Sequence, residues 1–251
     1  MPRFFVKNEQ IKGTTIEILG EDVKHIKNVL RKQIGDNIEI CDQETKKSYI
    51  CEIKKIENES ILTNIIEELQ NYDNKIKVDI YQGLPKADKM ELIIQKSIEL
   101  GANAIIPVKM KRCVVKIDSK DEIKKITRWQ KIAESAAKQS GRNEIPQIKN
   151  IVDIEKIIQL IDQYDKVIVA YENEKENTIK HELLNLKEKI RVNNKIKIGI
   201  VIGPEGGLEE KDVETLKQYG AVSVTLGNRI LRTETVALNI LSIIMYELEI
   251  E

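Results

Sequence analysis

The chain is poor in the residues that build disulfide frameworks and metal centres. Its 251 residues include three cysteines, two histidines, one tryptophan and five prolines. Cys41, Cys51 and Cys113 form no C-x-x-C pair, and their odd number argues against a disulfide framework. With only His25 and His181 besides, the chain lacks the ligands of a Cys/His zinc site. We therefore predict no metal site and a reducing compartment, the cytoplasm.

Long apolar runs and an export signal are missing as well. The longest nearly apolar stretch, 237–246, is too short to span a bilayer and contains Asn239 and Ser242. The opening residues, MPRFFVKNEQ, hold no apolar segment of signal-peptide length. We therefore expect no membrane contact. A hydrophobic content of 41% is enough for one large core or two smaller ones.

The charge is balanced overall but unevenly distributed. The 41 basic residues match 41 acidic ones, yet residues 109–142 contain 11 basic and four acidic residues. A local positive field can release counterions from a phosphate backbone, so this segment indicates polyanion binding. A solvated helix face in a lysine-rich protein explains the same charge pattern. Charge alone leaves both interpretations open.

The first seventy residues have the pattern of a small β-barrel. Helical spacing of apolar residues predicts one helix at 21–31, among β-rich runs separated by polar or glycine-containing turns. The predicted strands are 3–6, 14–19, 37–42, 47–56 and 60–66. The polar stretch 70–75 is the predicted boundary. We therefore divide the chain into a barrel, 1–72, and a second domain, 73–251.

The second domain alternates strands with helices, which predicts an α/β fold with a parallel sheet. The predicted strands are 78–84, 104–108, 166–172, 195–203 and 221–226. The predicted helices are 86–100, 119–139, 177–189, 209–219 and 234–249. Ser119 and Glu122 have the spacing of a capping box that opens the second helix.

The last predicted helix has almost no polar face. From Val236 to Leu248 it is interrupted by only a few polar residues. A helix that is apolar all round must be covered on all sides. A second subunit would cover the outer face, so we expect a homodimer through this helix; a fully internal helix of a monomer is the alternative.

Three segments that follow predicted strands carry the candidate chemistry. They are AYE (170–172), GPEGG (203–207) and LGNRILRTET (226–235). Ligands sit at strand ends in open α/β sheets, and glycines let the backbone approach a ligand closely. GPEGG lacks the Lys-Ser/Thr of a Walker loop, and no G-x-G-x-x-G follows a strand. By itself GPEGG is a tight turn; the second loop, with two arginines, a threonine and a glutamate, favours a ligand site.

The two C-terminal loops carry a family resemblance. IGPEGGL (202–208) followed by LGNRILRTETVAL (226–238) resembles the signature of the SPOUT methyltransferase superfamily. More closely, the chain resembles the ribosomal RNA small subunit methyltransferase E family. HIKNVLRKQIGD (25–36), KADKMELIIQKSIELG (86–101) and RWQKIAESAAKQSGR (128–142) are similar to family segments in family order, so the resemblance spans 1–251.

The resemblance implies a fold and an activity. It implies an N-terminal PUA-like β-barrel that binds RNA and a SPOUT-type parallel-sheet domain with a C-terminal trefoil knot. Such proteins are homodimers that bind S-adenosylmethionine and methylate N3 of a uridine in 16S rRNA, as free rRNA or in the small ribosomal subunit. A ribose 2′-O-methyltransferase of the same superfamily and a non-catalytic ribosome-assembly RNA-binding protein are the alternatives.

The resemblance also assigns roles to individual residues. Arg232 would meet charge that develops on a uracil oxygen. Glu234 is the first candidate for the base and Glu205 the second, although a carboxylate in a first helical turn also stabilises the helix dipole. The residues expected to hold the cofactor are Tyr171, Glu172, Ile202, Gly203, Pro204, Glu205, Gly206, Gly207, Leu226, Gly227, Ile230, Leu231 and Thr233.

The RNA contacts are expected from basic side chains. They are Arg3, Arg31, Arg112, Lys120, Lys124, Lys125 and Arg142. Trp129 could stack on a base, but its spacing from Ile126 and Ala133 favours a helix packing face. Arg229 is as compatible with a surface or an interface position as with a ligand contact.

Overall fold

The computed structural model describes residues 1–70, 75–193 and 195–249 and divides the chain into two units. The first unit joins Met1–Asp73 to Ala137–Ile145, and the second joins Asn74–Ala136 to Pro146–Glu251. Most of the predicted boundary at 70–75 lies outside the described residues. The segment 137–145 groups with the first unit, although no sequence feature separates it from its surroundings.

The first unit is built on a six-stranded, barrel-like mixed sheet. Its strands are β1 (Arg3–Val6), β2 (Ile11–Lys12), β3 (Thr15–Leu19), β4 (Asn37–Asp42), β5 (Ser48–Ile56) and β6 (Ser60–Leu69). They run in the order β1-β4-β5-β6-β3-β2, with β1 parallel to β4 and the other pairs antiparallel. Ile16 and Ile18 alternate with less buried neighbours and join Ile38 and Ile53 in one apolar core. The five predicted strands are confirmed.

The predicted helix at 21–31 is shorter and less regular than its spacing indicates. An α-helix, α1 (Glu21–Lys24), continues into one π-helical turn, His25–Val29, and Arg31 then takes a positive φ of 52°. The wider turn leaves Val29 exposed, although regular helical spacing would place it on the same face as buried Val23. The backbone irregularity therefore shortens the apolar stripe.

The segment 137–145 is attached to the first unit by hydrogen bonds. Ser48 Oγ lies 3.2 Å from Asn143 Oδ1, and Cys41 Sγ lies 2.8 Å from the Asn143 carbonyl oxygen. Lys138 Nζ forms an ion pair of 2.8 Å with Asp22. These contacts connect residues about a hundred positions apart, so sequence periodicity does not predict them.

The second unit contains an all-parallel sheet. Its strands are β7 (Ile76–Gly83), β8 (Ala104–Lys109), β9 (Gln147–Ile148), β10 (Val152–Asp153), β11 (Lys166–Ala170), β12 (Ile196–Ile202) and β13 (Val222–Val224). The order is β10-β8-β7-β12-β11-β13, and β9 also pairs with β8. The central strands are buried almost throughout, as expected for a parallel sheet covered on both faces. The predicted α/β class is confirmed.

Among the described residues, six helices belong wholly or mainly to the second unit. They are α2 (Lys89–Glu99), α3 (Ser119–Gln139), α4 (Ile154–Leu160), α5 (Ile179–Asn193), α6 (Glu210–Gln218) and α7 (Thr233–Leu248). Only α4 was not predicted. The cap of α3 differs from the predicted one: Asp118 Oδ1 accepts hydrogen bonds from the N–H groups of Lys120 and Asp121. Glu122 instead accepts a hydrogen bond from the N–H of Ile151.

The last helix, α7, is covered on one side by its own unit. It packs against α2, α5 and the sheet, and its buried stripe includes Ala237, Ile240 and Ile244. On its other side Tyr246 is exposed and Ile243 half-buried. Within the described ranges, no helix combines the length and the apolar character needed to cross a bilayer.

The strand order determines where a ligand site can form. The chain runs from β7 outward to β8 and β10, then crosses to β11 and inserts β12 between β7 and β11. Open α/β sheets bind ligands where the strand order reverses, outside the carboxyl ends of the strands. The loops after β7, β11, β12 and β13 leave from that edge. The trefoil knot itself stays a prediction.

Candidate functional site

The turn after β12 is packed so tightly that two of its glycines leave no room for a Cβ atom. Gly207 has a φ of +72°, and a Cβ atom there would overlap the Glu172 carboxylate, which follows β11. A Cβ atom on Gly203 would lie 2.9 Å from the Gly207 carbonyl carbon. The Gly207 N–H donates to the Pro204 carbonyl oxygen at 2.9 Å and closes the turn. The glycines therefore let this turn fold on itself and approach the loop after β11.

The same turn rests on the end of β7. A Cβ atom on Gly83 would lie 2.7 Å from Pro204 Cδ and 2.9 Å from Met110 Sδ. Any larger residue at position 83 would have to displace Pro204. Gly83 is thus a site residue that sequence reasoning missed, although QGLPK ends a strand at the same edge of the sheet.

A buried hydroxyl joins the turn after β12 to the start of α7. Thr233 Oγ1 donates to the Gly203 carbonyl oxygen at 2.7 Å and accepts a hydrogen bond from Gln82 Nε2 at 2.9 Å. Gln82 Nε2 also donates to the Gly83 carbonyl oxygen at 2.9 Å. Thr233 therefore holds the two loops together, and its hydroxyl proton is already used in the hydrogen bond to the Gly203 carbonyl oxygen.

A lysine at the start of α2 bridges the two carboxylates proposed as bases. Lys89 Nζ lies 3.1 Å from Glu205 Oε1 and 3.2 Å from Glu234 Oε2. Both Glu205 oxygens also lie within hydrogen-bond distance of the Lys86 N–H, at 3.0 and 3.3 Å. Glu205 and Glu234 belong to different loops, and only the folded chain places the Lys89 ammonium between them.

These contacts change the proton affinity of the groups involved. Burial by itself would raise the pKa of Glu205, but backbone hydrogen bonds, including that from Lys86, and the Lys89 ammonium outweigh it. The pKa of Glu205 therefore lies below its ordinary value. The hydrogen bond to Glu205, with further help from Glu234, raises the pKa of Lys89. A carboxylate stabilised in its charged form is a weak base, so this geometry disfavours Glu205 as the base.

The loop after β11 contains a second fixed carboxylate. Glu174 accepts hydrogen bonds from Ser223 Oγ and from the N–H groups of Lys175, Glu176 and Asn177. The Ser223 hydroxyl is the largest cause, and together these donors lower the pKa of Glu174 to about 2. The Tyr171 N–H donates to the Val224 carbonyl oxygen at 3.2 Å. This loop is thus tied to β13.

The loop between β13 and α7 is the most open part of the site. Residues 227–230 are exposed, and Ile230 is 88% exposed. Arg232 precedes α7 with extended backbone, and its carbonyl oxygen accepts hydrogen bonds from the N–H groups of Thr235 and Val236. The Arg232 side chain is exposed at this edge. Three loops that are distant in sequence therefore meet at one edge of the sheet.

Comparisons with known proteins identify the family to which this chain belongs. A model of the RNA methyltransferase domain matches residues 72–245, and a model of the RNA methyltransferase PUA domain matches residues 18–66. The ribosomal RNA small subunit methyltransferase E of Bacillus subtilis (strain 168) is 42% identical over 255 aligned positions, which cover 100% of this chain and 98% of the relative. The chain belongs to the ribosomal RNA small subunit methyltransferase E family.

Other family members give the same result. The Mesomycoplasma hyopneumoniae (strain 232) enzyme is 31% identical, with 96% of this chain and 98% of the relative covered. A crystal structure of the Neisseria gonorrhoeae enzyme, bound to S-adenosyl methionine, matches with a TM-score of 0.81 and 30% identity. That match covers 98% of this chain and 97% of the other. The family resemblance of the sequence is confirmed.

The predicted cofactor residues of this family member fall into three groups. Those that shape the turn and its supports are Gly203, Pro204, Glu205, Gly206, Gly207 and Thr233. Ile202 ends β12 with a buried side chain, whereas Tyr171, Leu226 and Leu231 are half-buried. Glu172, Gly227 and Ile230 are exposed. Ile230 is uncovered because residues 227–230 stand in solvent, and its contact with the cofactor stays a prediction.

Two of the predicted RNA contacts are occupied within the protein. Arg3 is 9% exposed at its side chain and pairs with Glu39 at 3.0 Å. Arg112 Nη1 donates to the Gly206 carbonyl oxygen at 3.1 Å, and its Cβ lies 3.0 Å from the position of a Cβ on Gly206. Arg3 is thus an internal ion-pair partner with little surface left for a phosphate, whereas Arg112 supports the turn after β12 but is itself exposed, so its RNA contact stays a prediction.

The other predicted RNA contacts remain accessible. Arg31, Lys120, Lys124 and Lys125 are exposed, while Arg142 is half-buried. Lys124 Nζ has only a long ion pair, 3.9 Å, with Asp121 on the same helix. Trp129 is buried in the packing face of α3, as its spacing predicted.

Proposed function

We propose that this chain transfers a methyl group from S-adenosylmethionine to N3 of a uridine in 16S rRNA. The observation that carries the proposal is the hydrogen bond between Thr233 and Gly203. It joins the glycine turn to RILRTET, the two segments on which the family resemblance rests. Family membership supports the activity, and the Neisseria gonorrhoeae relative supports the cofactor.

The residues at the strand ends fit S-adenosylmethionine. Among the described residues other than its two chain neighbours, no heavy atom lies within 4 Å of where a Cβ atom of Gly227 would stand, so a ligand can approach this side of the backbone closely. The exposed Glu172 carboxylate beside the glycine turn supplies negative charge for a sulfonium cation. Half-buried Leu226 and Leu231 offer apolar surface. When bound, S-adenosylmethionine supplies the electrophilic methyl group, so the protein needs no nucleophile of its own.

The chain's own residues must then prepare the uracil. N3 of uracil is an imide nitrogen, and its lone pair becomes available only when its proton leaves. We assign the removal of that proton to the Glu234 carboxylate, because Glu205 is a weakened base. A positioned base contributes about 10²–10⁴-fold. Alignment of the reacting atoms contributes up to about 7–11 kcal/mol.

Arg232 is the proposed partner of the uracil oxygens. Negative charge develops on O2 or O4 as the N3 proton departs, and a guanidinium can meet that charge with two parallel N–H donors. The side chain is exposed one residue before Thr233, and two positions before Glu234. Arg232 and Glu234 are therefore the catalytic pair of this proposal.

RNA binding is assigned to the basic surfaces of both units. The PUA match over 18–66 supports an RNA-binding role for the first unit, with Arg31 on its surface. In the second unit Lys120, Lys124 and Lys125 are exposed on α3. The target is 16S rRNA, free or within the small subunit, and the domain assignment is a PUA-like barrel, 1–72, and a knotted methyltransferase domain, 73–251.

A homodimer through α7 completes the proposal. The outer side of this helix presents exposed Tyr246 and half-buried Ile243. Exposed apolar surface rimmed by polar residues is typical of an interface. Light scattering at micromolar concentration should give twice the mass of one chain, and the mass of a single chain would contradict the dimer.

The experiment that tests the function is mass mapping of 16S rRNA from cells with and without the protein. Loss of one methyl group from a uracil base in the deficient cells is expected. A missing methyl on a ribose instead would indicate the 2′-O-methyltransferase. An unchanged methylation pattern, with no binding of S-adenosylmethionine in calorimetry, would indicate an RNA-binding protein without catalysis.

A further inference from the structure

Lys89 connects three elements of the site that are far apart in the sequence. It is the first residue of α2, and its ammonium lies 3.1 Å from Glu205 in the turn after β12 and 3.2 Å from Glu234 in the first turn of α7. Its side chain is 31% exposed, whereas that of Glu234 is 15% exposed. The cation therefore faces inward, toward two carboxylates that the fold has brought together.

The charge balance of this cluster depends on Lys89. Glu234 Oε2 is a buried oxygen without a hydrogen-bond partner among the described residues, so the ion pair with Lys89 is the contact that offsets its charge. Without the ammonium, Glu205 and Glu234 would face each other as like charges, which repel each other most where water is excluded. An uncompensated carboxylate would be expected to turn toward solvent.

We propose that Lys89 is a positioning residue, which holds the turn after β12 against the start of α7 and orients the Glu234 carboxylate toward the uridine. Only the part of this proposal that names the uridine rests on the proposed function. The part that concerns the loops applies to any ligand held by them. Lys89 acts through Glu205 and Glu234 and needs no contact with the substrate.

A merely structural role makes a different prediction. Exposed ion pairs contribute about 0–1 kcal/mol to stability, and many contribute nothing measurable. Lys96 offers a matched control on the same helix, since it pairs with Glu99 at 2.9 Å three residues away and, among the described residues, has no hydrogen bond or ion pair to either loop. If Lys89 were only a surface ion-pair partner, Lys89→Met and Lys96→Met would behave alike.

The first test compares both variants by calorimetry with S-adenosylmethionine. We expect Lys89→Met to weaken binding about tenfold, which corresponds to ~1.4 kcal/mol, and Lys96→Met to leave it unchanged. Lys89→Arg should restore most of the affinity, because a guanidinium can meet two carboxylates at once. Equal affinities for Lys89→Met and the wild type would overturn the proposal.

The second test separates loop positioning from the orientation of Glu234. At saturating cofactor and RNA, the single-turnover rate of Lys89→Met should fall by about 10², the usual cost of a small misplacement of reacting groups. Adding Glu205→Gln to Lys89→Met removes the repulsion and should recover part of both rate and affinity. No recovery in the double variant, with Lys89→Met folded, would refute the charge argument.

The two proposals fail in distinguishable ways. If wild-type protein binds S-adenosylmethionine but leaves 16S rRNA unmethylated, the proposed function is wrong while the binding comparison still tests Lys89. If wild-type protein methylates a uracil base and Lys89→Met does so at the same rate, the function stands and Lys89 is not a positioning residue. Should Lys89→Met fail to fold, Lys89→Gln and the Glu205→Gln double variant supply the same comparison.

Discussion

Replacing Thr233 with valine tests the hydrogen bonds that connect the two C-terminal loops. Valine has nearly the same shape but no hydroxyl group, so the Gly203 carbonyl oxygen loses the donor at 2.7 Å. Gln82 Nε2 loses its acceptor at 2.9 Å and keeps only its hydrogen bond to Gly83. A buried polar group left unsatisfied costs about 1–3 kcal/mol. We expect the free energy of unfolding of the second unit to fall by about that amount.

The chain contains a suitable reporter for this measurement. Trp129 is the single tryptophan of the chain, belongs to the second unit and is 4% exposed. Urea unfolding followed by its fluorescence therefore measures that unit. Calorimetry with S-adenosylmethionine measures the consequence for the site. Without the hydrogen bond from Thr233, part of the binding free energy must be used to order the turn after β12, so the affinity for the cofactor should fall.

Two control variants make the result specific. Thr233→Ser keeps the hydroxyl group and should retain most of the stability and affinity. Thr235→Val removes an exposed hydroxyl group from the same helical turn and should change neither. A Thr233→Val variant as stable as Thr235→Val would refute the role of the hydrogen bonds. Thr233→Ser loses only the methyl group, so a Thr233→Ser variant as unstable as Thr233→Val would show that the hydrogen bonds alone do not account for the stability.

Three further predictions follow from the site and its surroundings. Arg232→Ala should lower single-turnover methylation by about 10²–10³-fold, the usual loss for one donor to a developing negative charge. Cofactor affinity in calorimetry should change much less, and Arg232→Lys should recover part of the rate. A parallel collapse of cofactor affinity would instead make Arg232 a cofactor-binding residue. Reversing Lys120, Lys124 and Lys125 to Glu should weaken RNA binding and flatten its salt dependence in filter-binding titrations, without changing cofactor affinity; an unchanged slope would mean a merely solvated face. Glu174 has a folded-state pKa of about 2, below the ordinary value of 4.5, so it stabilises the fold above the ordinary pKa and this contribution disappears as the pH falls toward 2. Glu174→Gln should therefore be less stable than wild type at pH 7 and lose less stability on acidification, and equal urea midpoints at every pH would contradict this.

Much of the fold could be predicted because its signals are local. The strands β1, β4 and β5 and the long helix α3 follow from apolar periodicity and from turn residues within short windows. The parallel sheet follows from the alternation of strand and helix. Short elements such as α4 and the two-residue strands carry too few periodic positions to be predicted. The π-helical turn at His25–Val29 has the same apolar spacing as an ordinary helix, so the pattern cannot distinguish them.

The candidate site was predicted at the level of loops, and in part at the level of residues. The glycine turn and RILRTET are recognisable as motifs because backbone approach requires glycine at fixed positions. The internal partners of Arg3 and Arg112 could not be predicted, because a basic residue has the same appearance in a sequence whether it faces a phosphate or an acceptor within the protein. Gly83 and Lys89 were missed because their partners, Pro204 and Glu234, lie more than a hundred residues further along the chain.

By itself, the sequence determined the fold class, the family and the two loops that carry the candidate chemistry, since each depends on residues close together in the chain. The tertiary structure alone decided which side chains meet. The insertion of β12 between β7 and β11 brings the ends of these strands to one edge, where Gln82 reaches Thr233 and Lys89 reaches both Glu205 and Glu234. Contacts of this kind depend on how the chain crosses the sheet, and no local periodicity encodes that path.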